Sequence, residues 1–118
     1  MSAYFVFEQS DPAGVIREFV FQLDDPIKIA EARKILTNSK ALNRHVMGTV
    51  VQSRADYNPK WSFHLSAESI SFFEMSIEVC DANVTYVEEH LEEVGGAFLP
   101  KSHWCPWSSA LKKEISFP

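Results

Sequence analysis

Five side chains in the second half of the chain carry most of the chemistry this sequence can offer: His64, Cys80, Asp81, His103 and Cys105. A thiol, an imidazole and a carboxylate brought together make an activated nucleophile, and thiolates with imidazoles hold soft divalent metals. The spacing supplies no ready motif. HxxxH, HExxH and CxxC are all absent, so only the fold can assemble a catalytic or metal cluster from His64, Asp81, His103 and Cys105. Taken singly, the same residues have plainer roles. His64 suits a sheet face, Asp81 a helix cap, Cys80 a core thiol and His103 a loop. Cys80 and Cys105 are also a possible disulfide, which would stabilise the fold by roughly 3 kcal/mol through loop closure. In a reducing compartment they would remain thiols.

The segment "GGAFLPKSHWCPWSS", residues 95–109, is the least ordinary stretch. Two glycines loosen its start, Pro100 and Pro106 stiffen it, and Phe98, Trp104 and Trp107 give it bulk. Prolines so placed rule out a regular helix or a central strand, and the segment is too apolar for a disordered tail. Trp and other aromatics are favoured binding anchors, and a stiffened loop binds at lower entropic cost. Phe98, His103, Trp104 and Trp107 are therefore candidate contacts for a protein or peptide partner. A stiff protruding loop is also how small peptidase inhibitors present themselves. The competing reading makes the Trp pair a lid on the core. The two agree if one ring faces inward and the other outward.

Other clusters point less far. Glu88, Glu89, Glu92 and Glu93 look like a solvated helix face, because a calcium loop needs oxygen donors alternating around a tight turn. Arg44-His45 and Tyr57-Asn58 fall near strand ends, where they can line a groove or serve the turns.

The elements that must position these groups can be read in outline. "FVFEQSDP" (5–12) and "FVFQLDDP" (19–26) are two aromatic strands with Asp-Pro turn signals and Gly14 between them, a hairpin. Asp25-Pro26 opens a helix whose residues Ile29, Ala32, Ile35 and Leu36 share a face. "HVMGTVVQS" (45–53) is a strand in which Gly48 marks a bulge or a close approach. "WSFHL" (61–65) alternates Trp61, Phe63 and Leu65 against Ser62 and His64. "FEMSIEVC" (73–80) alternates Phe73, Met75, Ile77 and Val79 inward against Glu74, Ser76, Glu78 and Cys80. A second helix, capped at Asp81 or Asn83, carries the stripe Val84, Val87, Leu91, Val94 and stops at Gly95-Gly96.

The order β-β-α-β-β-β-α plus tail predicts an α+β fold. It consists of a mainly antiparallel sheet of about five strands, two helices packed on one face, and an ordered aromatic C-terminal segment. At 118 residues, with 46% hydrophobic residues and no linker-like stretch, the chain reads as a single domain over 1–118. A net charge of −5 excludes the usual nucleic-acid binder and a binder of anionic membranes. No apolar run is long enough for a transmembrane helix, and the N-terminus lacks a secretory pattern. A cytoplasmic location follows if Met1 is native, a secreted one if Met1 heads a mature fragment. An open FVF strand edge would favour a homodimer.

At "FVFQLDDPIKIAEARKIL", "HVMGTVV", "YNPKWSFHL", "IEVCDA", "YVEEHL" and "HWCPWSS" the sequence resembles the N-terminal domain family named after a calmodulin-binding protein. The resemblance runs from about Tyr4 to Ile115 and implies a small α+β domain. It carries over no catalytic residue and no cofactor. A calmodulin target is a basic amphipathic helix, whereas the helices here are one of mixed charge and one acidic. The residues point to a non-enzymatic binding module acting through the C-terminal loop and the adjoining sheet face, with a small enzyme or metal protein and a peptidase inhibitor as the alternatives.

Overall fold

The two FVF triplets pair with each other. They lie on β1 (Ala3–Ser10) and β2 (Ile16–Leu23), an antiparallel hairpin that sets Phe5 opposite Phe21, Val6 opposite Val20 and Phe7 opposite Phe19 in the computed structural model, which describes residues 1–76 and 79–117. Facing rings stack at 5.9 Å (Phe5–Phe21) and 5.2 Å (Phe7–Phe19), the kind of cross-strand contact that stabilises a sheet. The turn is local chemistry. Asp11 Oδ1 accepts the N–H groups of Ala13 and Val15, each at 2.9 Å, and Gly14 takes the positive φ of +82°.

Helix α1 (Pro26–Thr37) begins as its sequence requires. Asp25 accepts the Ile27 N–H at 2.9 Å, Pro26 opens the first turn, and Ile29, Ala32 and Ile35 are buried. Strand β3 (His45–Val51) follows. It pairs antiparallel with β4 (His64–Leu65) and β5 (Ser71–Phe73), and with a later strand described below. Gly48 marks a close approach: a Cβ there would lie 3.0 Å from Ile70 Cδ1 and 3.3 Å from Ser69 Oγ.

Two expected strands are shorter than their alternation suggests. In 61–65 only His64 and Leu65 pair, although Phe63 and Leu65 do face the core. In 73–80 the pairing ends at Phe73, opposite His45, where β3 itself begins. Among the described residues beyond that point the period of two is not kept. Met75 and Val79, expected inward, are 78% and 88% exposed, while Cys80, expected outward, is buried. Ile77 and Glu78 lie outside the described residues.

Helix α2 (Val84–Glu89) is capped by Asn83, which accepts the Tyr86 N–H at 2.9 Å. It ends at His90 and passes into a 3₁₀ turn, Leu91–Glu93, instead of running to the glycines. The inward stripe survives the break, with Val84, Val87 and Val94 buried and Leu91 packed against them. The short strands β6 (Val94–Gly95) and β7 (Phe98–Pro100) pair in parallel; β8 (His103–Trp104) then joins β3. Last comes β9 (Ala110–Ile115), antiparallel to the second side of β1.

The result is α+β, with antiparallel pairing dominant and the pairs distributed over three sheets among the described residues. Phe5, Phe7, Phe19, Phe21, Phe63, Trp104 and the buried faces of both helices form one cluster. The edges of the FVF hairpin are covered within the chain. β9 takes one side; on the other, Asn58 Oδ1 accepts the Val20 N–H at 3.0 Å and the Trp61 indole donates to the Glu18 carbonyl at 2.8 Å. Among the described residues no helix is long and apolar enough to cross a membrane.

Candidate functional site

Alternation along β8 sends His103 and Trp104 to opposite faces of its ladder with β3. Trp104 goes inward. It is fully buried, edge-on to Phe63 at 5.6 Å, Phe19 at 5.5 Å and Phe7 at 5.8 Å, and its indole donates to the Ala82 carbonyl at 2.9 Å. A partner cannot reach it, so Trp104 is a core residue and leaves the candidate contact surface. Phe98 is half-buried, edge-on to Tyr86 at 5.2 Å. Trp107 is 45% exposed and is the one Trp of this segment that faces solvent.

The turn before β8 is held in unusual backbone. Leu99 (φ 47°), Lys101 (61°) and Ser102 (61°) all occupy the left-handed region without being glycine, at a cost of about 1–3 kcal/mol each. Burial of the Leu99 side chain, the Ser102 N–H to Leu99 carbonyl bond at 2.9 Å and the Val50 N–H to Ser102 carbonyl bond at 2.8 Å fix that shape.

After Trp104 the chain is clamped residue by residue. Cys105 is bridged to Cys80, with Cα atoms 5.1 Å apart, and its N–H donates to the Cys80 carbonyl at 2.8 Å. The Trp107 N–H donates to Asp81 Oδ1 at 2.9 Å. Ser109, fully buried, accepts the Val46 N–H at 3.0 Å and donates to the Pro106 carbonyl at 2.6 Å. From β1, Gln9 reaches the same corner. Its side-chain amide donates to Ser108 Oγ at 3.0 Å and the Ala82 carbonyl at 3.3 Å, and its oxygen accepts the Val84 N–H at 2.8 Å.

The expected grouping of His64, Asp81, His103 and Cys105 divides. His103 stays with Cys105, and Cys80 completes a trio whose ligand-capable atoms lie within 4.8 Å of one another. Ser76 Oγ stands 3.6 Å and 3.9 Å from the two sulfurs. Asp81 is engaged at the Trp107 backbone. His64 stands apart from the trio, its Nδ1 2.7 Å from the Ser53 carbonyl and its ring against Tyr57. Beside the trio opens a cleft of about 400 Å³ lined by Val79, Cys80, Pro100, Lys101 and His103.

The remaining candidates have structural work. Arg44 bonds the carbonyls of Asn38, at 2.7 Å, and Leu111, at 3.2 Å, and His45 Nδ1 lies 2.6 Å from the Ser109 carbonyl. Asn58 is buried between Val20 and Phe63. Tyr57 packs on Tyr4, and its hydroxyl is pushed up to about 12, first by burial and then by Tyr4 and Asp24. Glu88 leaves the solvated acidic face to accept the Ser62 N–H at 2.8 Å and hydroxyl at 2.6 Å. Ser76, Ser109 and Gln9 have roles here that no motif announces. Gln9 alone carries a signal, a polar side chain on the inward series Ala3, Phe5, Phe7, where it needs partners.

The family model that matches this chain, over residues 1–118, is that of the BP-74 N-terminal domain. No curated protein and no solved structure matches the chain.

Proposed function

We propose that this chain, which belongs to the BP-74 N-terminal domain family, is a non-enzymatic binding module that docks a protein or peptide segment on the corner formed by Trp107 and the cleft at Pro100, Lys101 and His103. The observation that carries this reading is the contrast within one residue: Trp107 is 45% exposed while its backbone N–H is held by Asp81. A large apolar ring on a pre-set backbone loses little freedom on binding, and Trp is among the side chains most enriched at the energetic centre of an interface. The exposed Val79 and the wall of Pro100 supply apolar surface at the cleft. Lys101, on the cleft wall, favours a partner that sets a carboxylate beside its apolar side chain.

The test compares affinity capture by the wild type, by Trp107→Ala and by Ile27→Ala, an exposed apolar control on α1 that is 78% exposed. The expected result is a partner kept by the wild type and Ile27→Ala and lost by a folded Trp107→Ala. Retention of every partner by Trp107→Ala would overturn the reading. Because the Trp107 ring lies outside the buried core, truncation should leave stability within about 0.5 kcal/mol of wild type.

A further inference from the structure

We propose that two-electron reduction of the Cys80–Cys105 bridge converts this corner into a metal site, with the two thiolates and the His103 imidazole as ligands for a zinc-class divalent cation. The donor set comes first. Two sulfurs and one imidazole nitrogen lie within 4.8 Å of one another, and this is a donor set that tetrahedral zinc accepts, with an open fourth position. Zn–S and Zn–N bonds imply ligand–ligand separations of roughly 3.5–3.8 Å in a tetrahedron. Bonded sulfurs are closer than that, so opening the bridge by small side-chain rotations moves them towards the required spacing. The backbone need not follow, because the Cys105 N–H to Cys80 carbonyl bond and the Trp107 N–H to Asp81 bond hold the two segments together independently of the sulfurs.

The surroundings fit the same role. Ser76 Oγ faces both sulfurs at 3.6 Å and 3.9 Å, placed to donate to a thiolate as supporting groups do around metal ligands. Both cysteines are nearly closed to solvent, but the cleft lined by Val79, Cys80, Pro100, Lys101 and His103 gives a metal ion a way in. The left-handed backbone at Leu99, Lys101 and Ser102 holds the chain immediately before His103 in one shape.

The chemistry balances with a dithiol reductant of the thioredoxin class. The reductant's two thiols become its disulfide, the Cys80–Cys105 bond breaks, and each sulfur leaves as a thiol. Metal binding then releases the two thiol protons and forms two metal–thiolate bonds. The bridged form lacks thiolates and binds no metal, so the redox state of the pair gates the site. The site shares His103 and the cleft with the proposed docking corner, but metal binding by Cys80, His103 and Cys105 makes no use of the Trp107 ring, so the two readings can fail separately.

The experiment uses the full chain with cobalt(II) as a spectroscopic stand-in for zinc, and zinc by mass spectrometry. Oxidised protein should show no thiolate-to-cobalt charge-transfer band. Protein reduced with a phosphine, with both thiols confirmed by titration, should bind one cobalt per chain with a tetrahedral spectrum that zinc displaces. His103→Ala, which keeps both thiols, should weaken cobalt by about tenfold or more, the size expected for loss of even a supporting group. Two titrated thiols with no charge-transfer band would overturn the proposal, as would an unchanged affinity in His103→Ala. Should the reduced chain unfold without metal, recovery of the near-ultraviolet signal of buried Trp104 on adding zinc supports the site, and failure to recover overturns it.

Discussion

The β1–β2 hairpin and the corner around residues 98–109 feed the same core by different means. In the hairpin each buried ring meets the ring directly across from it, and the turn is closed by one carboxylate on its own neighbours. Every instruction is local in sequence, carried by the two strands and the turn between them. The corner has only two residues in a paired strand between Pro100 and Ala110. It is placed by contacts from far along the chain: Cys80 to Cys105, Asp81 to Trp107, Val46 to Ser109, Gln9 to Ser108. Short-range pattern builds a regular surface, and long-range side-chain bonds hold an irregular one. Irregular, well-fixed backbone is where exposed anchors and ligand clusters are found on small domains, and the candidate chemistry of this chain gathers there.

The contrast is most open to attack at Trp104, where the corner enters the core. Trp104→Ala should cost about 3–5 kcal/mol in urea unfolding, the range for deleting a buried aromatic ring, because three phenylalanine rings lose a packing neighbour and the Ala82 carbonyl its shorter hydrogen bond together. Phe7→Leu in the hairpin, where a flexible aliphatic group can fill much of the space, should cost less, about 1.5 kcal/mol or under. If the Trp104 variant proves no more damaging than the Phe7 variant, the corner is a passenger on the hairpin and the contrast between the two regions is empty.

Gln9 sharpens the difference, since it belongs to the hairpin and serves the corner. Gln9→Ala removes the acceptor for the Val84 N–H and the donor to Ser108 and Ala82. Leaving a buried N–H without a partner costs about 1–3 kcal/mol. The Val84 amide should lose hydrogen-exchange protection while the amides paired across β1 and β2 keep theirs. Equal loss in both places would show that the hairpin and the corner unfold as one unit.

The two regions also differ in how far their sequences can be read. The hairpin, the Asp25-Pro26 helix start and the Gly48 approach are legible because each rests on periodicity or on a cap within a few residues. The alternation in 73–80 runs on past Phe73, where the pairing with β3 ends, and a pattern cannot show where a partner strand stops. β9 is hidden for the opposite reason. "ALKKEI" buries only Leu111, so it carries no inward alternation, and its strand state is imposed by the second side of β1. At the site, the closeness of Cys80, His103 and Cys105 depends on β8 pairing with β3, two strands far apart in sequence. The likeness of His64 and His103 as residues gives no hint that one joins that trio and the other bonds the Ser53 carbonyl.

The smallest effect lies at the hairpin tip and tests whether that region is as self-contained as its pattern implies. The N–H of Val15 first, and then Arg17 and Ala13, hold the Asp11 carboxyl below its ordinary value, against a burial effect that acts the other way. An unfolded Asp titrates near about 3.9. With the folded value depressed, the folded chain binds fewer protons than the unfolded one between the two values. The stabilising contribution is therefore complete above the unfolded value and disappears as pH falls through the folded one. Carbon-detected titration of Asp11 should give a midpoint below that of an unstructured Asp. Acid should release the Val15 amide to exchange before it disturbs the Phe5–Phe21 pairing, and Asp11→Asn should remove the pH dependence of the turn alone. A midpoint at or above the unfolded value would mean that the turn is shaped by Gly14 and by the strands it joins, and that the carboxylate merely follows.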